Sequence, residues 1–133
     1  MKRFMLDTNS VSHLLKRQRN LVERVVGASM AALCISVVTE GEMRFGLARR
    51  PEAKALHAAV AELLRRLDVL PWTSATAQCY GAVRAELERR GRPLGPLDLM
   101  IAAQAVEAGA VLITSDRAFR FVAGLKVEDW TLT

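Results

Sequence analysis

Four acidic residues stand where carboxylates could act together. Asp7 and Asp116 each follow a short apolar run that predicts a buried strand. Glu42 comes shortly after another such run, and Asp98 opens a helical pattern behind a Gly- and Pro-rich loop. Carboxylates that face one another repel and are costly to bury, so a convergent cluster implies a bound cation. Oxygen ligands without His or Cys point to Mg²⁺ or Mn²⁺, which can position a phosphodiester and activate a water.

Each acid also has a purely structural interpretation. Asp7 could simply begin a turn, and Glu42 could only close a capping box with Thr39. Asp98 and Asp116 could be N-terminal helix acids favoured by the helix dipole. Glu40 is a rival for Glu42, but two residues along a helix turn the side chain by about 200°. We favour Glu42, because several acids at equivalent junctions are harder to explain as separate caps.

The elements that must position these acids alternate along the chain. The pattern predicts strands at Phe4–Leu6, Leu33–Val38, Val69–Leu70, Val111–Thr114 and Lys126–Glu128. It predicts helices at Ser10–Lys16, Arg19–Val26, Thr39–Ala48, Pro51–Leu67, Ser74–Arg90 and Asp98–Gly109, with a short helix around Phe119 and Phe121. Strands that alternate with helices favour an α/β fold with a mostly parallel sheet, whose carboxyl ends meet at one edge.

Length and composition restrict the fold and its surroundings. The chain has 133 residues, 51% hydrophobic and 25% charged, which is typical of one globular domain over residues 1–133. No apolar run approaches the roughly eighteen residues of a membrane span, so we expect a cytoplasmic protein. Cys34 and Cys79 lack CxxC spacing and are predicted to be buried reduced thiols.

The basic residues favour a polyanionic partner. The formal net charge is +5, and arginine, which binds phosphate through a planar fork, greatly exceeds lysine. The loop that leads to Asp98 contains Arg89, Arg90 and Arg92, the best candidates for contacts with a nucleic acid beside the acids. These arginines could equally complement the negative C-terminal pole of the preceding helix.

Four segments resemble, in order, the signature segments of PIN-domain ribonucleases, and most closely those of VapC toxins. They are Met5–Asn9, Ser36–Glu42, Pro96–Ala103 and Thr114–Phe119. The resemblance covers essentially the whole chain. It implies a PIN-like three-layer α/β/α sandwich whose acids bind Mg²⁺ or Mn²⁺ and which cuts RNA by metal-activated water.

The resemblance also assigns roles to individual positions. Asp7, Glu42 and Asp98 match the three core acids of the family, and Asp116 matches the more variable fourth. The residues that match the polar positions around these carboxylates are Thr8, Asn9, Thr114 and Ser115.

The same resemblance implies partners. It suggests tRNA as substrate, including the anticodon stem-loop of initiator tRNA, and inhibition by a VapB-type antitoxin. It also implies a homodimer or a larger assembly with the antitoxin. The apolar stripe of Ala53–Leu67 could serve such an interface, although a leucine stripe is more often plain core.

Other function classes fit the residues less well. If the chain were a binding module with the same fold, we would expect one or more of the four acids to be missing. All four are present. A phosphoryl-transferring hydrolase would need a second acid two residues after Asp7, and a dinucleotide-binding fold would need a Gly-rich turn there. A metal-dependent endoribonuclease is therefore the leading hypothesis.

Overall fold

The computed structural model describes residues 2–132 as alternating strands and helices. The strands are Phe4–Leu6 (β1), Leu33–Ser36 (β2), Asp68–Leu70 (β3), Val111–Ile113 (β4) and Lys126–Glu128 (β5). The α-helices are Thr8–Leu15 (α1), Arg19–Gly27 (α2), Val37–Ala48 (α3), Lys54–Arg66 (α4), Ser74–Arg89 (α5) and Pro96–Ala108 (α6). Two short 3-10 helices occupy Met30–Ala32 and Arg117–Phe121.

The five strands form one sheet in the order β3-β2-β1-β4-β5, and every neighbouring pair is parallel. The prediction of a mostly parallel sheet is confirmed. β1 and β4 lie side by side in register, with Leu6 opposite Ile113. The segments that follow these two strands therefore leave the sheet at the same level of its carboxyl edge.

Helices cover both faces of the sheet, as the predicted three-layer sandwich requires. Side chains of α5 and α6 pack with Met5 and Leu112 on one face. Residues from α1 to α4 pack with Leu6 and Ile113 on the other face. Successive residues of a strand thus enter different cores, because side chains alternate across a sheet. Both faces of the sheet are buried at β1, β2 and β4, which explains why these strands are apolar runs, whereas the edge strands β3 and β5 carry charged residues.

Several predicted boundaries were wrong by one to three residues, among them the starts of α3 and α4. We expected β2 to reach Val38 with Thr39 as the next helix cap, but α3 begins at Val37 and the Ser36 hydroxyl accepts a hydrogen bond from the Val38 N–H (2.9 Å). The Thr39–Glu42 capping box therefore does not exist. We also expected Pro51 to open α4, which instead begins at Lys54 after a turn.

Other sequence signals acted as predicted. Gly91 and Gly109 follow α5 and α6 with φ of 64° and 66°, a left-handed conformation that favours glycine and ends a helix. Val60 and its apolar neighbours on α4 pack into the core, so the leucine stripe of this helix is largely core. Cys34 and Cys79 are free thiols, and burial raises the pKa of Cys34 to about 11. None of the helices within residues 2–132 is long and apolar enough to span a bilayer.

Candidate active site

Asp7 lies at the end of β1, at the centre of the carboxyl edge. Its side chain is only 2% exposed, and its Oδ1 accepts a hydrogen bond from the Ser10 N–H at 2.7 Å. Asp7 is therefore the N-cap of α1. The Ser10 hydroxyl and the Asp7 N–H both donate to the Ile113 carbonyl, at 2.7 and 3.1 Å. These bonds fix the start of α1 to the end of β4.

Glu42 lies in the second turn of α3 and reaches the start of α1. Its Oε1 accepts a hydrogen bond from the Thr8 hydroxyl at 2.6 Å, and that hydroxyl lies 3.3 Å from the buried Thr39 hydroxyl. Glu40 instead forms an ion pair with Arg44 at 2.7 Å on the same helix. The two glutamates thus have different environments, and the candidate acid is the one beside Thr8.

Asp98 is the third residue of α6 and is half-buried. Burial raises the pKa of the Asp98 carboxyl above its ordinary value, and the charges of Asp116, Asp7 and Glu42 raise it further. These charges act on Asp98 only if Asp116, Asp7 and Glu42 lie on the same side of the fold as Asp98. The fold therefore places the other three selected acids in the neighbourhood of Asp98.

Asp116 follows β4 and caps the 3-10 helix Arg117–Phe121. Its Oδ1 accepts from the Ala118 N–H at 2.9 Å, and its own N–H donates to the Thr114 hydroxyl oxygen at 3.0 Å. Thr114 is 5% exposed and its N–H donates to the Glu128 carbonyl at 3.0 Å. This hydroxyl holds the turn that carries Asp116, in keeping with a positioning role.

The remaining candidate residues are placed less distinctively. Asn9 and Ser115 are exposed, at the start of α1 and just after β4. Arg89 forms an ion pair with Glu86. Arg90 donates to the Phe121 carbonyl at 2.7 Å, and the Arg92 guanidinium lies 4.1 Å from the centre of the Phe121 ring. These three arginines are thus engaged within the chain.

The acids lack basic partners. Within residues 2–132, none of the four candidate carboxylates has a Lys or Arg nitrogen within 4 Å. In the same residues, no three Asp, Glu, His or Cys side chains are gathered tightly enough, as they stand, to surround a metal ion. The site is therefore an open set of mutually repelling carboxylates, partly held by the Ser10 N–H and the Thr8 hydroxyl.

A groove that the sequence analysis did not predict opens beside these acids. It has a volume of about 420 Å³ and lies between α1, α3 and α4. Thr8 and Glu42 lie in its wall with mostly apolar residues, and Lys16 and Arg50 add positive charge. Helical spacing could assign these residues to helices, but only the packing of three helices creates the groove.

This fold and arrangement of acids define a class of protein. The sequence of residues 4–125 matches the family model of the PIN domain, so the chain belongs to the PIN-domain family. The resemblance seen in the sequence is therefore confirmed.

Within this family the chain is similar to VapC proteins. It is 37% identical over 132 residues to the tRNA(fMet)-specific endonuclease VapC of Shigella flexneri, and the match covers 98% of this chain and 100% of that protein. The solved structure of DNA-bound VapBC from Salmonella typhimurium is 36% identical, with a TM-score of 0.90, over 98% of this chain and 99% of the other. VapBC-1 from nontypeable Haemophilus influenzae gives 30% identity and a TM-score of 0.85, over 97% and 98% of the two chains.

Proposed function

We propose that this chain is a metal-dependent endoribonuclease toxin that cuts tRNA and is inhibited by a VapB-type antitoxin. The observation that carries the proposal is the position of Asp116, Asp7 and Glu42 around Asp98, whose pKa is raised by burial and then by the charges of these three acids. Full-length similarity to a tRNA(fMet)-specific endonuclease supports the activity and the substrate class.

The chemistry of the donor set fits a hard divalent cation. Asp7, Glu42, Asp98 and Asp116 would hold it, since these oxygen donors have no His or Cys among them and, within residues 2–132, no Lys or Arg nitrogen within 4 Å. When bound, Mg²⁺ or Mn²⁺ lowers the pKa of an attacking water and offsets charge on the phosphate. Because the carboxylates stand apart, we expect their side chains to move toward one another on binding.

The chain's own hydrogen bonds would orient these carboxylates. Thr8 holds one oxygen of Glu42, and the Ser10 N–H holds Oδ1 of Asp7. Thr114 fixes the turn that presents Asp116. Fixing carboxylates in this way reduces the conformational entropy that they lose when they bind a ligand.

The antitoxin would cover the groove between α1, α3 and α4. The groove is largely apolar and opens at Thr8 and Glu42, so a segment bound there would also block the acids. Gly46 lies in its wall, and a Cβ atom at this position would meet no other atom within 4 Å. A larger side chain at Gly46 would therefore fill the groove without disturbing the fold.

Gly46→Leu tests this placement, because an uncharged side chain fills the groove without pairing with Glu42, and Gly81→Leu on α5 is a matched control because its Cβ would also be unobstructed. A VapB-type antitoxin that neutralises the wild-type chain is first identified by co-expression. We expect Gly46→Leu to cleave RNA normally but to resist that antitoxin, and Gly81→Leu to remain inhibited. Equal inhibition of both variants would place the antitoxin elsewhere.

Incubation with total tRNA tests the activity itself. The wild-type chain, freed of antitoxin, is compared in Mg²⁺ or Mn²⁺ with Asp98→Asn, with an EDTA-treated sample and with Glu62→Gln. Glu62 is an exposed acid on α4 that pairs with Arg65 and Arg66, so this variant controls for the loss of a carboxylate. We expect discrete cuts with wild type and Glu62→Gln only. Wild-type products that match those of Asp98→Asn on both tRNA and ribosomal RNA would contradict the proposal.

A further inference from the structure

Most arginines of the described chain are already engaged. Nine have a carboxylate oxygen within 4 Å, and Arg49, Arg90 and Arg92 contact a phenylalanine ring or its carbonyl. Within residues 2–132, three arginines have neither kind of contact: Arg17, Arg117 and Arg120. An unengaged guanidinium keeps its whole planar fork available for an anion.

Only two of these three arginines lie beside the acids. Arg117 and Arg120 are exposed residues of the 3-10 helix that Asp116 caps. Arg17 lies beyond the last turn of α1, at the end of that helix opposite Asp7. Among the described residues, two unengaged arginine side chains thus lie on the Asp116 side of the acid site.

The segment that presents Arg117 and Arg120 is held firmly from behind. Phe119 between them is 1% exposed and packs in the core. Arg90 donates to the Phe121 carbonyl and Arg92 stacks on the Phe121 ring, so the basic loop before α6 supports this 3-10 helix. A rigid support lowers the entropy that a side chain loses when it binds.

Arg117 and Arg120 share an open cleft of about 170 Å³ with Asp116 and Thr114. Two further acids line it, but both have partners. Glu128 accepts from the Trp130 indole N–H at 2.9 Å and lies 3.4 Å from Arg24 and 3.6 Å from Lys2. Asp129 accepts from the N–H and the hydroxyl of Thr131. The cleft can therefore accept a phosphate at its arginine side.

We propose that Arg117 and Arg120 bind backbone phosphates of the RNA strand next to the acid site. This inference rests on the proposed nuclease function. It assigns the binding of RNA phosphates to the 3-10 helix in place of Arg89, Arg90 and Arg92. One guanidinium group can donate two parallel hydrogen bonds to two oxygens of a phosphate, whereas carboxylates alone would repel the RNA backbone. The two arginines would bring the polyanion to the carboxylates.

The double variant Arg117→Gln/Arg120→Gln tests the proposal against Arg65→Gln/Arg66→Gln, which removes the same charge from α4. Cleavage of tRNA gives KM and kcat, and fluorescence anisotropy gives the affinity of Asp98→Asn protein for labelled tRNA between 50 and 200 mM salt. We expect the first variant to raise KM about tenfold at low salt. The slope of log affinity against log salt should fall by about 0.7 to 0.9 for each lost phosphate contact.

Substitution by lysine separates a binding role from a structural one. Arg117→Lys/Arg120→Lys keeps both charges, so the salt slope should return to the wild-type value even though the planar fork is lost. If the glutamine and control variants have equal KM values and salt slopes, the proposal is overturned while the nuclease function stands. If the wild-type chain cleaves no RNA, the proposed function fails, and the anisotropy slopes still decide whether these arginines bind RNA.

Discussion

The carboxylates of this chain fall into two groups with opposite surroundings. Of 14 acidic residues, eight have a Lys or Arg nitrogen within 4 Å among residues 2–132. The other six comprise the four candidate acids together with Glu107 and Asp129, which accept hydrogen bonds from the hydroxyls of Thr76 and Thr131. Among the described residues, the four candidate acids have no such partner, and burial together with the charges of Asp116, Asp7 and Glu42 raises the pKa of Asp98.

This difference does not come from a shortage of cations. The sequence has 19 Lys and Arg residues against 14 acids, and most of the ion pairs join residues three or four apart on one helix. Exposed pairs of this kind contribute little to stability. Unpaired carboxylates at the sheet edge cost stability, and binding of the cation that we propose would explain their arrangement. Four predictions test that contrast.

The largest effect is expected from Glu42→Gln compared with Glu40→Gln. Both residues lie on α3, but Glu40 pairs with Arg44 while Glu42 faces the other acids. Loss of a metal ligand removes several kcal/mol of transition-state stabilisation, so Glu42→Gln should lower kcat/KM by at least about 100-fold. Glu40→Gln should stay within about twofold of wild type. Comparable losses in tRNA cleavage for the two variants would remove the distinction between paired and unpaired acids.

Thr8→Val should have the next largest effect, because Thr8 donates the hydrogen bond that holds Glu42. Groups that orient metal ligands typically change affinity or activity by about 10 to 100-fold, and we expect Thr8→Val to weaken Mn²⁺ binding by about tenfold. Isothermal titration measures this affinity without any RNA. Thr8→Ser keeps the hydroxyl and should bind Mn²⁺ as wild type does; failure of serine to restore binding would contradict the role of the hydroxyl.

Asp7 combines a structural and a chemical role, and two substitutions separate them. Asn also caps helices well whereas Ala does not, so Asp7→Ala should be less stable than Asp7→Asn by about 1 kcal/mol in urea unfolding. Both variants lose the charge, and both should fail to cleave tRNA. Equal stabilities would show that the bond between the Ser10 N–H and Oδ1 of Asp7 contributes nothing.

The smallest expected effect is a change in folding stability. The variant Asp98→Asn, which should not cleave RNA, should be more stable than wild type. The pKa of Asp98 is raised in the folded chain, so the folded state binds this proton more tightly than the unfolded state does. Protonation of Asp98 therefore stabilises the folded state. This stabilisation is fully present below the ordinary pKa of 3.8 and is lost as pH rises through the pKa of the folded state. Asp98→Asn should therefore melt above wild type at neutral pH.

The pH dependence and a control complete this test. The difference in Tm between Asp98→Asn and wild type should shrink as pH falls toward the ordinary pKa. Glu62 has its pKa lowered by Arg66 and Arg65, so Glu62→Gln should not raise the Tm at neutral pH. A Tm of Asp98→Asn at or below that of wild type at neutral pH would contradict the view that crowding costs stability.

Much of the fold could be predicted because it depends on short-range signals. Apolar runs located the first four strands, Gly91 and Gly109 marked helix ends, and alternation of strands and helices gave the parallel sheet. The errors arose where two local signals compete. Ser36 and Thr39 are both good caps, and the choice depends on where β2 stops pairing with its neighbours. At α4, Pro51 suits a first turn, yet the chain continues through a turn to Lys54.

The candidate acids were predictable for a similar reason, since Asp7 directly follows β1, Asp116 lies three residues after β4 and Asp98 lies in the first turn of α6. Contacts between distant residues were not. The hydrogen bond from Thr8 to Glu42 joins residues 34 positions apart, and the stacking of Arg92 on Phe121 removes an arginine that the sequence presents as free. Neither contact leaves a local pattern in the sequence.

The sequence by itself determined which residues carry charge at the ends of strands, because strand and helix signals are local and the order of elements fixes a parallel sheet. Only the tertiary structure decided which acids remain unpaired, which arginines remain free and where a groove opens. Those properties depend on the packing of helices against both faces of one sheet. Electrostatic repulsion and side-chain contacts depend on distance in space, and separation along the chain does not specify that distance.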